Sequence, residues 1–248
     1  MITYKLVLLA SLIGVAPAVI WMWLIIKGGK HAWTERQQLL KFFFWGVLTA
    51  IPVGVLGLII TESGCENMLL DLIRKIFHYD LIGGFTSTLI ATTLLMALLE
   101  EFFKGVAILV ALLQKKKTNL TSGIIVGAII GLAFAVTENG VYFVTEINSG
   151  VSSEAVFRTV FLRFILFTSA HIIYSATMGA LVAKVFEVSN YLLRIITTLN
   201  ALLVATIIHA LFNLLLSGGY GFLVPLMIVV GFITLGLVYG FSKKIINL

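Results

Sequence analysis

Residues 81–114 read LIGGFTSTLIATTLLMALLEEFFKGVAILVALLQ, an apolar run that contains three charged residues. The run is long enough to cross the hydrocarbon core of a bilayer, which needs about 20 residues of α-helix. Its charged residues are Glu100, Glu101 and Lys104. Each such charge at the bilayer centre opposes insertion by roughly 2.5–3.5 kcal/mol. Ionisable residues in this position therefore predict a functional site in which they have partners.

The composition of the whole chain is that of a polytopic membrane protein. Of its 248 residues 60% are hydrophobic, the mean hydropathy is +1.11, and only 11% are charged, where a soluble domain carries about 25%. In such a chain the net charge of +6 is first a signal of membrane topology, so nucleic acid is not an expected partner. Cys65 is the single cysteine, which excludes an intramolecular disulfide. Any metal must therefore be bound by His, Glu or Asn.

The apolar runs predict an all-α fold with about seven transmembrane helices in a single transmembrane domain, residues 1–248. The predicted helices are Tyr4–Ile26, Phe42–Ile60, Ile82–Leu113, Thr121–Val144, Val156–Ala183, Ile195–Leu216 and Phe222–Phe241. The third and fifth are longer than one span needs, which predicts a tilt, a break or an extension into the interface.

The distribution of Lys and Arg predicts the orientation of the chain in the membrane. Eleven of these residues follow helices 1, 3 and 5 or lie in the C-terminal tail, against four on the opposite side. By the positive-inside rule, the protein is a multi-pass protein of the cell membrane with its N-terminus outside and its C-terminus in the cytoplasm.

Polar residues occur at a shared depth in predicted helices 3 to 6. At about 1.5 Å rise per residue, Glu101 lies roughly 18 Å from the cytoplasmic end of helix 3, and Glu138 lies roughly 26 Å along helix 4. On the same scale His171 lies roughly 20 Å above the end of helix 5, and His209 lies roughly 21 Å along helix 6. Unrelated residues are not expected to share a depth, so the pattern predicts a polar core formed by helices 3 to 6.

The spacing of residues along each helix predicts which groups pair. Lys104 follows Glu100 by four residues and Glu101 by three, so both carboxylates can reach its ammonium on one helix face. His209 and Asn213 are also four residues apart, which lets Asn213 orient the imidazole or donate to a reacting oxyanion. Two adjacent carboxylates beside one cation are suited to general acid–base catalysis.

These residues resemble the ordered motifs of the PrsW family of intramembrane proteases. The motifs are Glu-Glu-x-x-Lys at 100–104, Phe-x-x-x-Glu-Asn at 134–139, His171 followed by small residues, and His-x-x-x-Asn at 209–213. The resemblance covers helices 3 to 6, about residues 85–216, as a catalytic-like core. The PrsW family is similar in turn to the type II CAAX prenyl endopeptidase (CPBP/ABI) superfamily. Glu138 stands where those peptidases have His, which argues against a prenylated substrate.

The resemblance implies that the chain hydrolyses peptide bonds of a membrane protein or a membrane-associated peptide. It implies that Glu100 activates water and that Glu101 and Lys104 support it. It also implies that His209 and Asn213 bind water or the oxyanion. It further implies that His171 forms part of the polar lining of the site. The motif at 134–139 adds Glu138 and Asn139 to the site.

Two forms of this chemistry stay open. A divalent metal such as zinc, bound by His171, His209 and Glu138, would match the three-ligand pattern of catalytic zinc sites, and the resemblance to metalloproteases favours it. Without a metal, Glu100 would activate water while Asn213 and a protonated histidine stabilise the oxyanion. No organic cofactor is expected. The alternative functions are an ion- or proton-coupled transporter or channel, and a non-catalytic membrane scaffold.

Overall fold

The computed structural model describes residues 18–27, 36–62, 87–115 and 118–246, and this part of the chain is helical, without strands. Seven helices run through it. They are α1 Ala18–Lys27, α2 Arg36–Glu62, α3 Ser87–Leu113, α4 Leu120–Asn148, α5 in the consecutive segments Ser153–Leu162, Arg163–Phe167 and Thr168–Val185, α6 Tyr191–Ser217, and α7 Val224–Ile246. A 3₁₀ turn, Gly221–Leu223, leads into α7.

These helices confirm the predicted all-α, polytopic class. Five of them, α2 and α4 to α7, are long and apolar enough to cross a membrane by length and composition. Helix α3, with 27 residues, is also long enough to cross a membrane. It differs from those five in having three charged residues in its middle. The first part of predicted helix 1, residues 4–17, and the start of predicted helix 3, residues 82–86, lie outside the described residues.

The surface of the described helices differs from that of a soluble protein, and charged side chains lie inside an otherwise apolar core. More than half of each side chain is exposed at many large apolar positions, among them Phe44, Ile51, Leu203, Leu226 and Ile233. An apolar surface of this extent suits contact with lipid rather than with water. Charged side chains are instead buried between the helices. They include Glu100, Glu101, Lys104 and Arg163.

Helix α4 lies at the centre of the fold. Most of its side chains from Thr121 to Ala135 are buried, and α2, α3 and α5 pack against it. Its N-terminus is fixed by a capping box. The Asn119 side chain accepts a hydrogen bond from the Ser122 backbone N–H at 2.8 Å, and the Ser122 hydroxyl accepts one from the Asn119 N–H at 3.0 Å.

Helices α4 and α5 approach each other closely because small residues line their contact. Gly123, Gly127 and Gly131 recur every four residues and so lie on one face of α4. A Cβ atom at Gly127 would lie 1.9 Å from the Ser175 carbonyl oxygen, and one at Gly131 would lie 2.4 Å from the His171 carbonyl oxygen. Any larger residue there would push the helices apart. The glycines thus bring His171 against α4.

Helix α5 changes its hydrogen-bond pattern in the middle. Arg163–Phe167 form a π-helical turn between two α-helical segments. Two hydroxyls satisfy carbonyls of this turn: Thr168 Oγ1 donates to the Arg163 carbonyl at 3.2 Å, and Ser169 Oγ donates to the Ile165 carbonyl. Single π turns inside α-helices often occur at functional sites. The long fifth helix therefore continues through a π turn, and the tilt, break or extension predicted for it stays a prediction.

Candidate active site

Side chains from α3, α4, α5 and α6 meet in the interior of the described helices, as the shared depth predicts. Most of them are buried, and the carboxylate of α4 is 24% exposed. The residues that meet are Glu100, Glu101 and Lys104 of α3, Glu138 of α4, His171 of α5 and His209 of α6. The structure thus confirms the predicted polar core of helices 3 to 6.

Lys104 forms the ion pair predicted from its spacing. Its Nζ lies 2.5 Å from Glu101 Oε1 and 3.7 Å from Glu100 Oε2. It also lies 3.2 Å from His171 Nδ1 and 4.4 Å from the centre of the Phe134 ring. The side chain is fully buried, so these groups replace the water that an ammonium would otherwise bind.

Replacing Lys104 with Met is expected to destabilise the fold. The substitution would leave the Glu101 carboxylate buried without its cation, and breaking a buried pair in this way typically removes about 3–5 kcal/mol. The measurement is thermal unfolding of the purified protein in detergent. Lys184→Met is the matched control, since Lys184 pairs with Glu187 at 2.8 Å with both side chains about half exposed. An exposed pair is worth about 0–1 kcal/mol. Equal destabilisation by the two substitutions would contradict the prediction.

His209 lies between the two carboxylates of α3. Its Nδ1 is 2.8 Å from Glu101 Oε1, and its Nε2 is 3.8 Å from Glu100 Oε2. Because a carboxylate accepts hydrogen bonds, Nδ1 carries a hydrogen. Tyr174 stacks on the imidazole with 4.7 Å between ring centres. The ring of His209 is thus held with Nε2 towards Glu100.

The two adjacent carboxylates of α3 differ in their surroundings. Glu101 is fully buried and binds both Lys104 and His209 through Oε1. The Glu100 side chain is 11% exposed and makes no hydrogen bond of this kind within the described helices. The Oε2 atoms of both carboxylates are buried without a hydrogen-bond partner among the described residues. A buried polar atom without a partner is rare and calls for an explanation such as a bound water or ion.

Glu100, His171 and His209 form the one group of the described part of the chain whose carboxylate and imidazole atoms converge as metal ligands would. One ligand atom from each lies within 4.8 Å of the others. Glu138 is outside this group. Its Oε2 is 2.8 Å from His171 Nε2, and its Oε1 accepts from Arg163 Nη2 at 2.9 Å.

Two predicted residues lie beside the cluster. Asn139 is buried, where it accepts from Arg163 Nε at 2.8 Å and donates to Thr168 Oγ1 at 3.1 Å. Asn213 is partly buried one turn after His209, and its amide has no hydrogen-bond partner among the described residues. Asn139 is therefore bound to the neighbouring helix α5, whereas the amide of Asn213 stays available.

Two residues of this region were not predicted as part of the site. Arg163 binds Glu138 and Asn139, and the signal for it was a charge inside an apolar run. Tyr174 packs against both imidazoles, and its buried hydroxyl has no partner within the described residues. The signal for Tyr174 was its position three residues after His171, which places both on one helix face.

Comparison with known proteins identifies the family. Residues 34–238 match the family model described as PrsW family intramembrane metalloprotease. The chain belongs to this family. The match covers most of the chain, including the four helices that supply the polar cluster. This membership decides between the classes of function that the sequence left open: the protein is an intramembrane protease, not a transporter or a scaffold.

Two curated PrsW proteins are similar to almost the whole chain. It is 24% identical over 219 residues to Protease PrsW of Clostridioides difficile, which covers 88% of this chain and 83% of that protein. It is 27% identical over 227 residues to Protease PrsW of Oceanobacillus iheyensis, which covers 90% and 91% respectively. No solved structure matches the chain. The link to the CAAX endopeptidases stays a prediction.

Proposed function

We propose that this PrsW-family protease cleaves peptide bonds of membrane-embedded substrates at the cluster of Glu100, His171 and His209. The convergence of these three buried residues from three helices supports the proposal most strongly. A carboxylate and two imidazoles supply the base and the electrophilic groups that peptide hydrolysis needs. The partly exposed Glu100 gives this cluster contact with its surroundings.

The residues present fit a divalent metal. The site contains three carboxylates and two permanent cations, so it carries one formal negative charge in excess. The carboxylates are Glu100, Glu101 and Glu138, and the cations are Lys104 and Arg163. That excess and the unpartnered oxygen of Glu100 both favour a cation. His209 also binds a carboxylate through its other ring nitrogen, which is the usual arrangement of a metal-bound histidine.

We place Glu100, rather than Glu138, with the two histidines as the residues that would hold the metal. Both oxygens of Glu138 are engaged, one by His171 and the other by Arg163. When bound, a metal such as zinc would polarise the scissile carbonyl and activate water. Glu138 then acts from outside the ligand set, as the group that orients His171.

The proton transfers follow from the positions of the side chains. Glu100 has two carboxylate oxygens, so one can hold a metal while the other takes a proton from the attacking water as the new C–O bond forms. The proton passes to the leaving amine when the C–N bond breaks. Lys104 and Glu101 fix the middle of α3, which carries Glu100. Asn213, whose amide has no partner among the described residues, is placed one turn from His209 to donate to the oxyanion.

The substrate we propose is a membrane protein or a membrane-associated peptide, because the cluster lies in the middle of the apolar helices. The proposed orientation has the N-terminus outside and the C-terminus in the cytoplasm, in the cell membrane. The cluster then lies in the middle to outer half of the bilayer.

Metal analysis of the purified protein tests the proposed chemistry. We expect the detergent-solubilised protein to contain a divalent metal, to lose peptidase activity with a chelator, and to recover it with added zinc. Activity is measured on a fluorogenic peptide library. Activity that persists in metal-free protein would contradict the metal and leave a hydrolase that depends on Glu100 alone.

A further inference from the structure

Arg163 is a buried charge that contacts the cluster only through other residues. The residue is 4% exposed and lies at the start of the π turn of α5. Its Nη2 donates to Glu138 Oε1 at 2.9 Å, and its guanidinium lies 3.6 Å from the centre of the Tyr142 ring and 4.2 Å from that of Phe167. A guanidinium between two aromatic faces has few alternative positions.

A closed ring of hydrogen bonds fixes Arg163 further. Its Nε donates to Asn139 Oδ1 at 2.8 Å, Asn139 Nδ2 donates to Thr168 Oγ1 at 3.1 Å, and Thr168 Oγ1 donates to the Arg163 carbonyl at 3.2 Å. The π turn makes this possible because it places the Thr168 N–H and hydroxyl on one carbonyl. The ring joins α4 to α5 at the level of Glu138.

Glu138 transmits this arrangement to His171. With Oε1 bound by Arg163, the carboxylate presents Oε2 to His171 Nε2 at 2.8 Å. A carboxylate accepts and cannot donate, so Nε2 carries the hydrogen of the neutral imidazole. Nδ1 then keeps the lone pair, and it is the nitrogen that lies 3.2 Å from Lys104 Nζ.

We infer that Arg163 is a positioning residue that sets the tautomer of His171 through Glu138, so that Nδ1, which faces Lys104 on the active-site side, keeps its lone pair. The two histidines of the cluster would then offer opposite ring nitrogens, Nδ1 from His171 and Nε2 from His209, each fixed by a carboxylate on the other side. The tautomer itself does not depend on the proposed function, whereas its effect on turnover does.

Nitrogen NMR of ¹⁵N-histidine-labelled, metal-free protein in detergent tests the inference directly. The chain has four histidines, and His171 is assigned by the loss of its signals in His171→Asn. We expect a single His171 tautomer with hydrogen on Nε2 in the unsubstituted protein. In Arg163→Met, which removes the donors, we expect that single tautomer to be lost. We also expect kcat to fall about 10- to 100-fold with little change in KM, as for other outer-shell partners.

Two further variants keep the test decisive. Arg163→Lys preserves the positive charge but lacks the several N–H donors of the guanidinium. The single His171 tautomer should therefore be only partly restored. Glu138→Gln keeps the shape of the side chain, but Arg163 would bind its carbonyl oxygen and leave the NH₂ group facing His171. Nε2 should then lose its hydrogen, even if Arg163→Met does not fold.

The outcomes separate this inference from the proposed function. If hydrogen stays on His171 Nε2 in a folded Arg163→Met variant, or in Glu138→Gln, the inference is wrong, whatever the activity. If the tautomer responds as expected but the unsubstituted protein cleaves no peptide, the inference stands and the proposed cleavage site is wrong.

Discussion

Replacing Glu100 with Gln is expected to reduce peptide cleavage by about 10²- to 10⁴-fold, the contribution of a general base. The amide preserves the size of the side chain but cannot take a proton from water. The fold should remain nearly intact, because Glu100 Oε2 has no hydrogen-bond partner among the described residues and lies 3.7 Å from Lys104. The measurements are kcat/KM on a fluorogenic peptide and the thermal unfolding of the same sample.

Two carboxylate-to-amide changes serve as controls for Glu100→Gln. Glu101→Gln should lower thermal stability as well as activity, because fully buried Glu101 binds both Lys104 and His209. Glu187→Gln should change neither quantity, since Glu187 is half exposed and pairs only with Lys184 in the described structure. Full activity in Glu100→Gln would remove Glu100 from the role of base. Equal loss of stability in the Glu100 and Glu101 variants would contradict the different surroundings that the structure gives them.

The number and order of the helices could be predicted from the sequence because each apolar run is long enough to cross a bilayer. The ends were less predictable. Helix α2 begins at Arg36 rather than Phe42, and α6 begins at Tyr191 rather than Ile195. A helix continues into polar residues as long as its backbone hydrogen bonds continue, whereas an apolar run stops at the first charge. Hydropathy therefore marks the lipid-facing part of a helix and not its full length.

The depth of each site residue was predictable, but its direction around the helix axis was not. At a rise of 1.5 Å per residue, Glu138 is predicted to lie at about the same depth in the membrane as the two histidines. In the structure Glu138 contacts both His171 and Arg163, while Glu100 is the carboxylate that converges with both histidines. Which faces meet depends on how closely neighbouring helices pack, and here the glycines of α4 decide that distance. The sequence of one helix alone therefore does not reveal which of its side chains meet those of a neighbouring helix.

The role of Arg163 could not be predicted for a similar reason. Its position inside an apolar run indicated a buried charge with a partner. The partners, Glu138 and Asn139, belong to a different helix, and a π turn sets the angle at which Arg163 reaches them. A π turn has no periodic pattern of side chains, so hydrophobic periodicity could not reveal it.

Replacing His209 with Ala is expected to remove bound metal and peptidase activity together. His209 is the residue whose two ring nitrogens face the two carboxylates of α3, with Nδ1 at 2.8 Å from Glu101 and Nε2 at 3.8 Å from Glu100. Without it, two proposed ligands remain, and a catalytic zinc site ordinarily needs three. The loss should exceed the roughly 10- to 100-fold effect of removing an outer-shell partner. Metal per chain and kcat/KM are measured on the same preparation.

Thr206→Val is the matched control for this substitution. Thr206 lies on the same helix three residues earlier and is buried, and its hydroxyl has no partner within the described part of the chain. Valine has nearly the same shape, so metal content and activity should both persist. If His209→Ala keeps its metal but loses activity, His209 acts on the substrate rather than on a metal. If it keeps both, the cluster of Glu100, His171 and His209 is not the site of cleavage.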